Sequence, residues 1–161
     1  MAKNLFDFNV GLLTLAPSYN WSFKQTEKGN EKKVSENKEE FKKILAEVVK
    51  KEIAKNNLKN FPTNKPVAIF ILQCFSSQVE YNRRDLDNIG KTILDALINV
   101  VYISDSQVKT LLLTKKLNDH RMPDNFLYIT VKEQKIDSDI KYVQEAGLEQ
   151  AVCFYSKLKK T

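Results

Sequence analysis

The sequence predicts an α/β fold of the α+β type: a small mixed sheet of about four to five strands, two core helices and a C-terminal helix. Apolar and polar residues alternate over residues 6–12, which is the period of a half-buried strand. Residues 67–74 are apolar on both alternating faces, as in a strand that is covered on both sides. Residues 37–49 and 86–97 keep the spacing of amphipathic helices.

One domain is expected for the whole chain. At 161 residues it is long enough to bury a core without disulfides or metals, so we assign residues 1–161 to a single domain with 139–161 as a C-terminal helical extension. Cys74 lies in an apolar run and Cys153 in a helical pattern, and both are expected to be small core residues. His120 is the single histidine, which argues against a zinc site containing histidine.

Charge and hydropathy narrow the class of protein. The chain has 26 Lys and Arg against 20 Asp and Glu, a formal charge of +6, which favours a polyanionic partner such as nucleic acid. No run approaches the ~20 apolar residues of a membrane span, and the N-terminus lacks the pattern of a signal peptide. We therefore expect a cytoplasmic, soluble protein.

The N-terminal half predicts one strand, a long connection and one helix. Residues 16–33 form a polar connection in which aromatic residues alternate with lysines, among them Lys24. Two roles stay open for it: contact with unpaired bases and phosphates, or cover for the edge of the core. Asn37 followed by Glu40 is typical of a capping box that begins a helix.

The C-terminal half predicts strands on both sides of a second helix. Strand 67–74 belongs in the middle of the sheet and leads through a polar loop, residues 76–84, into helix 86–97. Residues 100–103 and 108–113 are predicted to be two short strands that meet around Asp105, and residues 126–131 a last strand. From Asp139 onward a second long helical pattern begins.

The residues with chemical potential lie on and beside helix 86–97. Wound at ~100° per residue, it collects its apolar residues in one arc and places Asp87, Lys91 and Asp95 in a separate stripe at i, i+4 and i+8. Such a stripe is commonly a solvated face with ion pairs. Asp85 and Asp87, however, flank a single residue and repel each other unless a cation lies between them. Asp105 follows an apolar segment that can return along the sheet and end near the helix start, so the three carboxylates together suit Mg²⁺.

The pattern of these residues resembles the RusA family of Holliday junction resolvases. The resemblance is carried by the motif D-x-D-N-x-x-K-x-x-x-D-A-L at residues 85–97, then an apolar segment and D-x-Q-V at residues 105–108. The family commonly carries two adjacent acids where this chain has Ser104 and Asp105. The family's usual glycine after the helix is also absent, since Ile98, Asn99 and Val100 stand there.

The resemblance implies an endodeoxyribonuclease that resolves four-way DNA junctions by paired symmetric nicks, acting as a homodimer with Mg²⁺, for which Mn²⁺ is an expected substitute. We assign Asp85, Asp87 and Asp105 as metal ligands and Lys91 as the cation that meets the developing charge on the scissile phosphate. Two further residues are assigned supporting roles. Asp95 is expected to orient Lys91 or a metal-bound water, and Asn88 to hydrogen-bond a ligand carboxylate, a phosphate or the helix start.

Basic residues around the acidic helix are the expected DNA contacts. Arg83 and Arg84 precede the helix and are placed to hold a phosphate; the alternative is that they balance Asp85 and Asp87. The remaining candidates are Lys24, Lys115, Lys116 and Arg121.

Three other interpretations remain open. The first is a branched or flap DNA nuclease of the same chemistry. The second is a junction-binding protein without catalysis, for which Ser104 in place of an acid is the argument. The third is a structural, ion-paired helix in an unrelated basic binding module, which predicts that Asp105 lies far from Asp85 and Asp87.

Overall fold

The computed structural model describes residues 6–18, 21–25, 31–35, 37–118 and 123–135. Its strands and helices follow in the order β1 (Asp7–Leu12), β2 (Trp21–Gln25), β3 (Glu31–Ser35), α1 (Lys38–Lys55), β4 (Val67–Phe75), α2 (Gln78–Arg83), α3 (Leu86–Leu97), β5 (Val108–Leu117) and β6 (Phe126–Glu133). A short 3₁₀ turn, Asp105–Gln107, precedes β5. The predicted C-terminal helical extension, with Cys153, lies outside the described residues, as do His120 and Arg121.

Within the described residues, the main sheet has four strands in the order β1-β6-β4-β5. β4 pairs antiparallel with β6 and parallel with β5, and β6 pairs antiparallel with β1. Parallel neighbours need a long crossover connection, and α3 forms part of the one that joins β4 to β5. The predicted mixed sheet, with residues 67–74 in its middle, is confirmed.

The two predicted core helices, α1 and α3, pack on each other and on the sheet. α1 begins at its cap Asn37, whose side chain accepts a hydrogen bond from the Glu40 backbone at 2.9 Å. The helices bury their apolar stripes against β1, β4 and β6 in one continuous core. Its helical members include Phe41, Leu45, Val49, Ile53, Ile89, Ile93 and Leu97, and its strand members include Phe8, Val10, Ile69, Ile71, Leu127, Ile129 and Val131.

Two segments predicted as loops contain regular structure. The connection 16–33 includes β2 and most of β3, an antiparallel hairpin in which Lys24 lies opposite Lys32. Lysines are weak strand formers, so their alternation with aromatic residues carried little strand signal. In the loop 76–84, α2 begins at its cap Ser77. This helix has six residues, too few to show helical periodicity in the sequence.

The predicted strand 100–103 is a turn instead. Asn99 has φ 62°, and its backbone N–H donates to the Tyr102 carbonyl at 2.7 Å, while Val101 N–H donates to the Leu97 carbonyl at 2.8 Å. Among the described residues, Tyr102 forms isolated bridges with Ile98 and Thr63 and no strand ladder. Asparagine adopts the left-handed region more readily than most residues, so Asn99 supplies the conformation for which a glycine is suited.

Replacing Asn99 tests this account of the turn. We expect Asn99→Gly to change the free energy of unfolding by less than about 0.5 kcal/mol, and Asn99→Val to lower it by about 1–3 kcal/mol, because a β-branched residue is strained at positive φ. Urea denaturation of both variants beside the wild type measures the difference. Equal stability of the two variants would contradict the role assigned to Asn99.

The part of the chain that the structure describes contains no helix with the length and apolar character required to cross a membrane.

Candidate active site

The acidic site begins at the N-terminus of α3. Asp85 is the N-cap residue, in an extended conformation with φ −77° and ψ 134°, and its side chain makes no capping hydrogen bond. Its backbone carbonyl instead accepts from Ile89 N–H at 3.1 Å. Both Asp85 and Asp87 are exposed. Two carboxylates therefore lie at the start of α3, near the positive end of the helix dipole, and within the described residues neither side chain makes a capping hydrogen bond.

The predicted charged stripe of α3 faces solvent as expected, with Asp87, Lys91 and Asp95 exposed. It is not an ion-paired row. Within the described residues, neither Asp87 nor Lys91 has a side-chain hydrogen bond or an ion pair. Asp95 is paired with Lys42 of α1 at 3.8 Å. The predicted contact by which Asp95 would orient Lys91 is therefore not formed in this structure.

Close packing fixes the orientation of this stripe. Gly90 faces β5 so closely that a Cβ atom there would lie 2.6 Å from Cδ1 of Leu113. Because α3 rests on the strand at Gly90, the adjacent Lys91 is turned towards solvent. Asn88 is half-buried in the first turn, where its backbone carbonyl accepts from the Thr92 hydroxyl at 2.9 Å.

Asp105 is held in place by the 3₁₀ turn that precedes β5. The turn has a capping box formed by Ser104 and Gln107. The Gln107 side-chain oxygen accepts from the backbone N–H groups of Ile103 at 2.9 Å and Ser104 at 3.0 Å. Its amide nitrogen donates to the carbonyls of Thr63 at 2.8 Å and Lys65 at 3.0 Å. The glutamine of the D-x-Q-V motif thus fixes the segment that carries Asp105.

Tyr102 connects that segment to the C-terminal end of α3. Its ring is fully buried, and its hydroxyl donates to the Leu94 carbonyl at 2.7 Å. Burial, followed by the charges of Asp105 and Asp95, raises the pKa of Tyr102 well above its usual value. The Tyr102 hydroxyl thus joins the segment that leads to Asp105 to the end of α3 that carries Asp95.

The structure does not bring the three predicted metal ligands together within one chain. α3 carries the chain from the C-terminal end of β4 to the N-terminal end of β5. Asp85 and Asp87 lie at the first end and Asp105 at the second. Asp95, near Asp105, is about 12 Å along the helix axis from Asp87 at ~1.5 Å per residue. In the described ranges no group of three or more His, Cys, Asp or Glu side chains is arranged to hold a metal ion.

Arg84 and Lys115, two of the predicted DNA contacts, form hydrogen bonds with other groups of the protein. The Arg84 side chain is 12 % exposed and donates from Nε to Glu80 at 2.8 Å and from Nη1 to the Ala16 carbonyl at 3.0 Å. Lys115 Nζ donates to the carbonyls of Tyr81 at 2.8 Å and Arg84 at 3.0 Å. Together they fix the start of α3, a role that the sequence analysis missed because every partner named here except Glu80 lies more than 30 residues away along the chain.

The remaining predicted DNA contacts have different positions. Arg83 is exposed at the end of α2, and Lys116 is half-buried on β5. Lys24 lies on β2, and Arg121 is outside the described residues. The described candidates are thus spread over the α2–α3 junction, the hairpin and the end of β5.

These features define the class of the chain as an α+β domain whose crossover helix presents acidic and basic side chains to solvent. The family model described as endodeoxyribonuclease RusA matches residues 16–131. The chain belongs to this family, which implies a Holliday junction endonuclease that acts on branched DNA. No curated protein matches the chain.

Proposed function

We propose that this chain is a Mg²⁺-dependent, structure-selective endodeoxyribonuclease that resolves four-way junctions by paired symmetric nicks. One observation carries the proposal: in a chain of the RusA family, Asp87 and Lys91 lie one turn apart on the exposed face of α3, without partners among the described residues. Because the Asp87 carboxylate and the Lys91 ammonium group do not pair with each other, both can bind other charged groups.

Asp85 and Asp87 fit a hard divalent cation. Mg²⁺ prefers oxygen ligands, keeps several waters and is commonly held by one or two carboxylates plus substrate phosphate oxygens. Mn²⁺ accepts the same donors. When bound, the ion supplies a water of lowered pKa and neutralises charge on the phosphate. The exposure of both carboxylates leaves room for those waters and for DNA.

Lys91 is proposed to stabilise the charge that develops on the scissile phosphate. It follows Asp87 by four residues, so its stem leaves the same face of α3. Asn88, between them, is proposed to hydrogen-bond a ligand carboxylate or the phosphate. Asp95 is proposed to support the site indirectly, since its pair with Lys42 joins α3 to α1.

A homodimer is proposed to complete the metal site. Within one chain Asp105 lies at the opposite end of α3 from Asp85 and Asp87. A two-fold axis that crosses the middle of α3 makes the two copies of this helix antiparallel, so the start of one approaches the end of the other. Asp105 of one protomer would then join Asp85 and Asp87 of the second, and each dimer would contain two sites related by symmetry, as paired nicks require.

Exposed basic residues near the start of α3 are proposed to position the DNA backbone. Arg83 is the best placed of them, because it is exposed and two residues before Asp85. Lys24, Lys116 and Arg121 are proposed as further phosphate contacts, whereas Arg84 and Lys115 are proposed to keep the helix start in place.

A junction-binding protein without catalysis is the second candidate. Two observations favour it: Ser104 replaces an acid that the family commonly carries, and its hydroxyl is occupied with Ser106 of the same turn, the two oxygens being 2.9 Å apart. This candidate predicts tight junction binding and no cleavage with either Mg²⁺ or Mn²⁺.

Cleavage of matched DNA substrates tests the proposal. We expect cutting of a four-way junction in Mg²⁺, with much slower cutting of a 5′ flap and of linear duplex. Lys91→Ala should lower the junction rate by about 100-fold or more without weakening folding. Lys55→Ala, which removes an exposed lysine at the end of α1, serves as the control. Flap cutting that is faster than junction cutting would favour the flap nuclease. Wild-type cutting by Lys91→Ala would refute the role given to Lys91.

A further inference from the structure

A cavity of about 700 Å³ opens between the connection from α1 to β4 and the segment that leads to Asp105. Its lining comes from residues 58–65, from Ile103, from Phe6 just before β1 and from Glu133 at the end of β6. Pockets of roughly 300–1,000 Å³ accept small organic ligands. The size is therefore suitable for a single nucleotide, and nothing in the proposed chemistry of α3 uses this cavity.

The apolar part of the cavity is accessible, and its aromatic residue Phe61 is packed against other rings. Ile103 is 56 % exposed although it is a large apolar residue. Phe61 is held edge-on by two aromatic neighbours, with ring centroids 5.0 Å from Phe6 and 5.9 Å from Phe8. A flat aromatic ligand can lie against such side chains, and stacking contacts of this kind hold unpaired bases in nucleic-acid-binding proteins.

The polar part offers hydrogen-bonding groups that the protein leaves unused. Lys59, Asn60 and Asn64 line the cavity and are exposed. Over the described ranges, none of their side chains has a hydrogen bond or an ion pair. The two amides can both donate to and accept from the edge of a base, and Lys59 can meet a phosphate. Lys65 differs, because it pairs with Glu133 at 3.6 Å.

Hydrogen bonds connect the cavity wall to the turn that carries Asp105. Gln107, two residues after Asp105, donates to the carbonyls of Thr63 and Lys65 in the cavity wall. Thr63 N–H also donates to the Val101 carbonyl at 2.8 Å. The cavity wall and the turn that carries Asp105 are therefore held together by hydrogen bonds. A nucleotide bound in the cavity would consequently lie close to the Asp105 carboxylate.

We propose that this cavity binds one unstacked nucleotide of branched DNA, with its base against Ile103 and Phe61, its edge hydrogen-bonded to Asn60 or Asn64, and its phosphate near Lys59. The inference rests on the proposed function and deepens it by naming a structural feature of the substrate. Unstacking a base from a duplex is unfavourable, and it is least so where the base is already unpaired. The cavity thus favours the branch point of a junction over continuous duplex.

Binding of a short single strand tests the cavity directly. The probe is a thymidine tetranucleotide, compared with an abasic strand of the same length and charge. In nitrogen-labelled full-length protein, we expect the thymidine strand to shift the side-chain amide signals of Asn60 and Asn64, and the abasic strand to leave them in place. Equal shifts with both strands, or no shift at saturating concentration, would overturn the proposal, because the cavity would then not read a base.

Variants separate the cavity from the rest of the protein. Ile103→Ala and Lys59→Ala should each weaken binding of the thymidine strand about tenfold and reduce the preference for junction over linear duplex. Leu13→Ala and Lys55→Ala remove matched exposed side chains elsewhere. They should change neither the binding of the thymidine strand nor the preference for junction over linear duplex. Unchanged binding by both cavity variants refutes the inference.

The two proposals fail in different ways. A wild-type protein that shifts the amide signals with thymidine but never cuts a junction refutes the proposed nuclease and supports the cavity. A protein that cuts junctions but shows no amide shift supports the proposed nuclease and refutes the cavity proposal.

Discussion

Asp87→Asn is expected to lower the rate of junction cleavage by a factor of about 1,000 or more and to leave the fold intact. The substitution keeps the size of the side chain but removes the charge that a divalent cation requires. Asp87 is exposed and has no side-chain partner among the described residues, so the free energy of unfolding should change by less than about 0.5 kcal/mol. The measurement is single-turnover cleavage of a labelled junction in Mg²⁺.

Asp7→Asn is the matched control for this experiment. Asp7 is an exposed aspartate on β1 that contacts Lys132 at 3.2 Å, far along the sheet from α3, and surface pairs of this kind contribute little to stability. The control should cut at the wild-type rate, and both variants should bind the junction. If Asp87→Asn retained more than a tenth of the wild-type rate, Asp87 would not be a metal ligand.

Gln107→Ala is expected to lower the free energy of unfolding by about 2–3 kcal/mol. The side chain makes four hydrogen bonds to backbone groups, and each contributes a net ~0.5–1.5 kcal/mol. For a chain of this size the loss corresponds to roughly 5–10 °C in Tm. Junction cleavage should fall as well, because the turn that carries Asp105 is no longer fixed to the wall formed by Thr63 and Lys65.

Two further variants sharpen the Gln107 experiment. Gln78→Ala removes an exposed glutamine whose amide has one side-chain partner among the described residues, Asn82 at 3.0 Å, and should cost less than about 0.5 kcal/mol. Gln107→Glu can still accept from the two N–H groups but cannot donate to the two carbonyls, so it should be destabilising too. Thermal unfolding of all three variants decides the point. A Gln107→Ala protein as stable as Gln78→Ala would show that the four bonds do not hold the turn.

Elements with a strong local pattern were predictable from the sequence. The alternation of β1, the continuous apolar run of β4 and the helical period of α3 each arise from burial within one segment. The same reasoning predicted that Asp87, Lys91 and Asp95 share an exposed face. A family resemblance over residues 84–109 then pointed to the family that the comparison confirms.

Features that depend on distant partners were not predictable in this way. The direction of the chain after α3 depends on Asn99 at positive φ, and the pattern of residues 100–103 suits a strand equally well. The placement of Asp105 at the far end of α3 follows from that turn. Arg84 and Lys115 are basic residues, the type expected to contact DNA. Their hydrogen-bond partners, such as the Ala16 carbonyl, come close to them only after folding.

The interpretation of α3 as a structural, ion-paired helix predicted that Asp105 lies far from Asp85 and Asp87, and within one chain it does. That interpretation also requires ion pairs along the stripe, whereas Asp87 and Lys91 have none in the described part of the chain. Family membership further disfavours an unrelated binding module. A site shared between two protomers reconciles the separation of the carboxylates with their proposed chemistry.

Mixed dimers test this shared metal site most directly. Asp87→Asn and Asp105→Asn chains, carrying different affinity tags, are produced together and the heterodimer is isolated by both tags. If each site takes Asp85 and Asp87 from one protomer and Asp105 from the other, the heterodimer contains one intact site and one doubly altered site. We predict that it nicks one strand of a four-way junction in Mg²⁺, while each variant homodimer cuts neither. A heterodimer as inactive as the two homodimers, or a failure to isolate any heterodimer, would contradict the account.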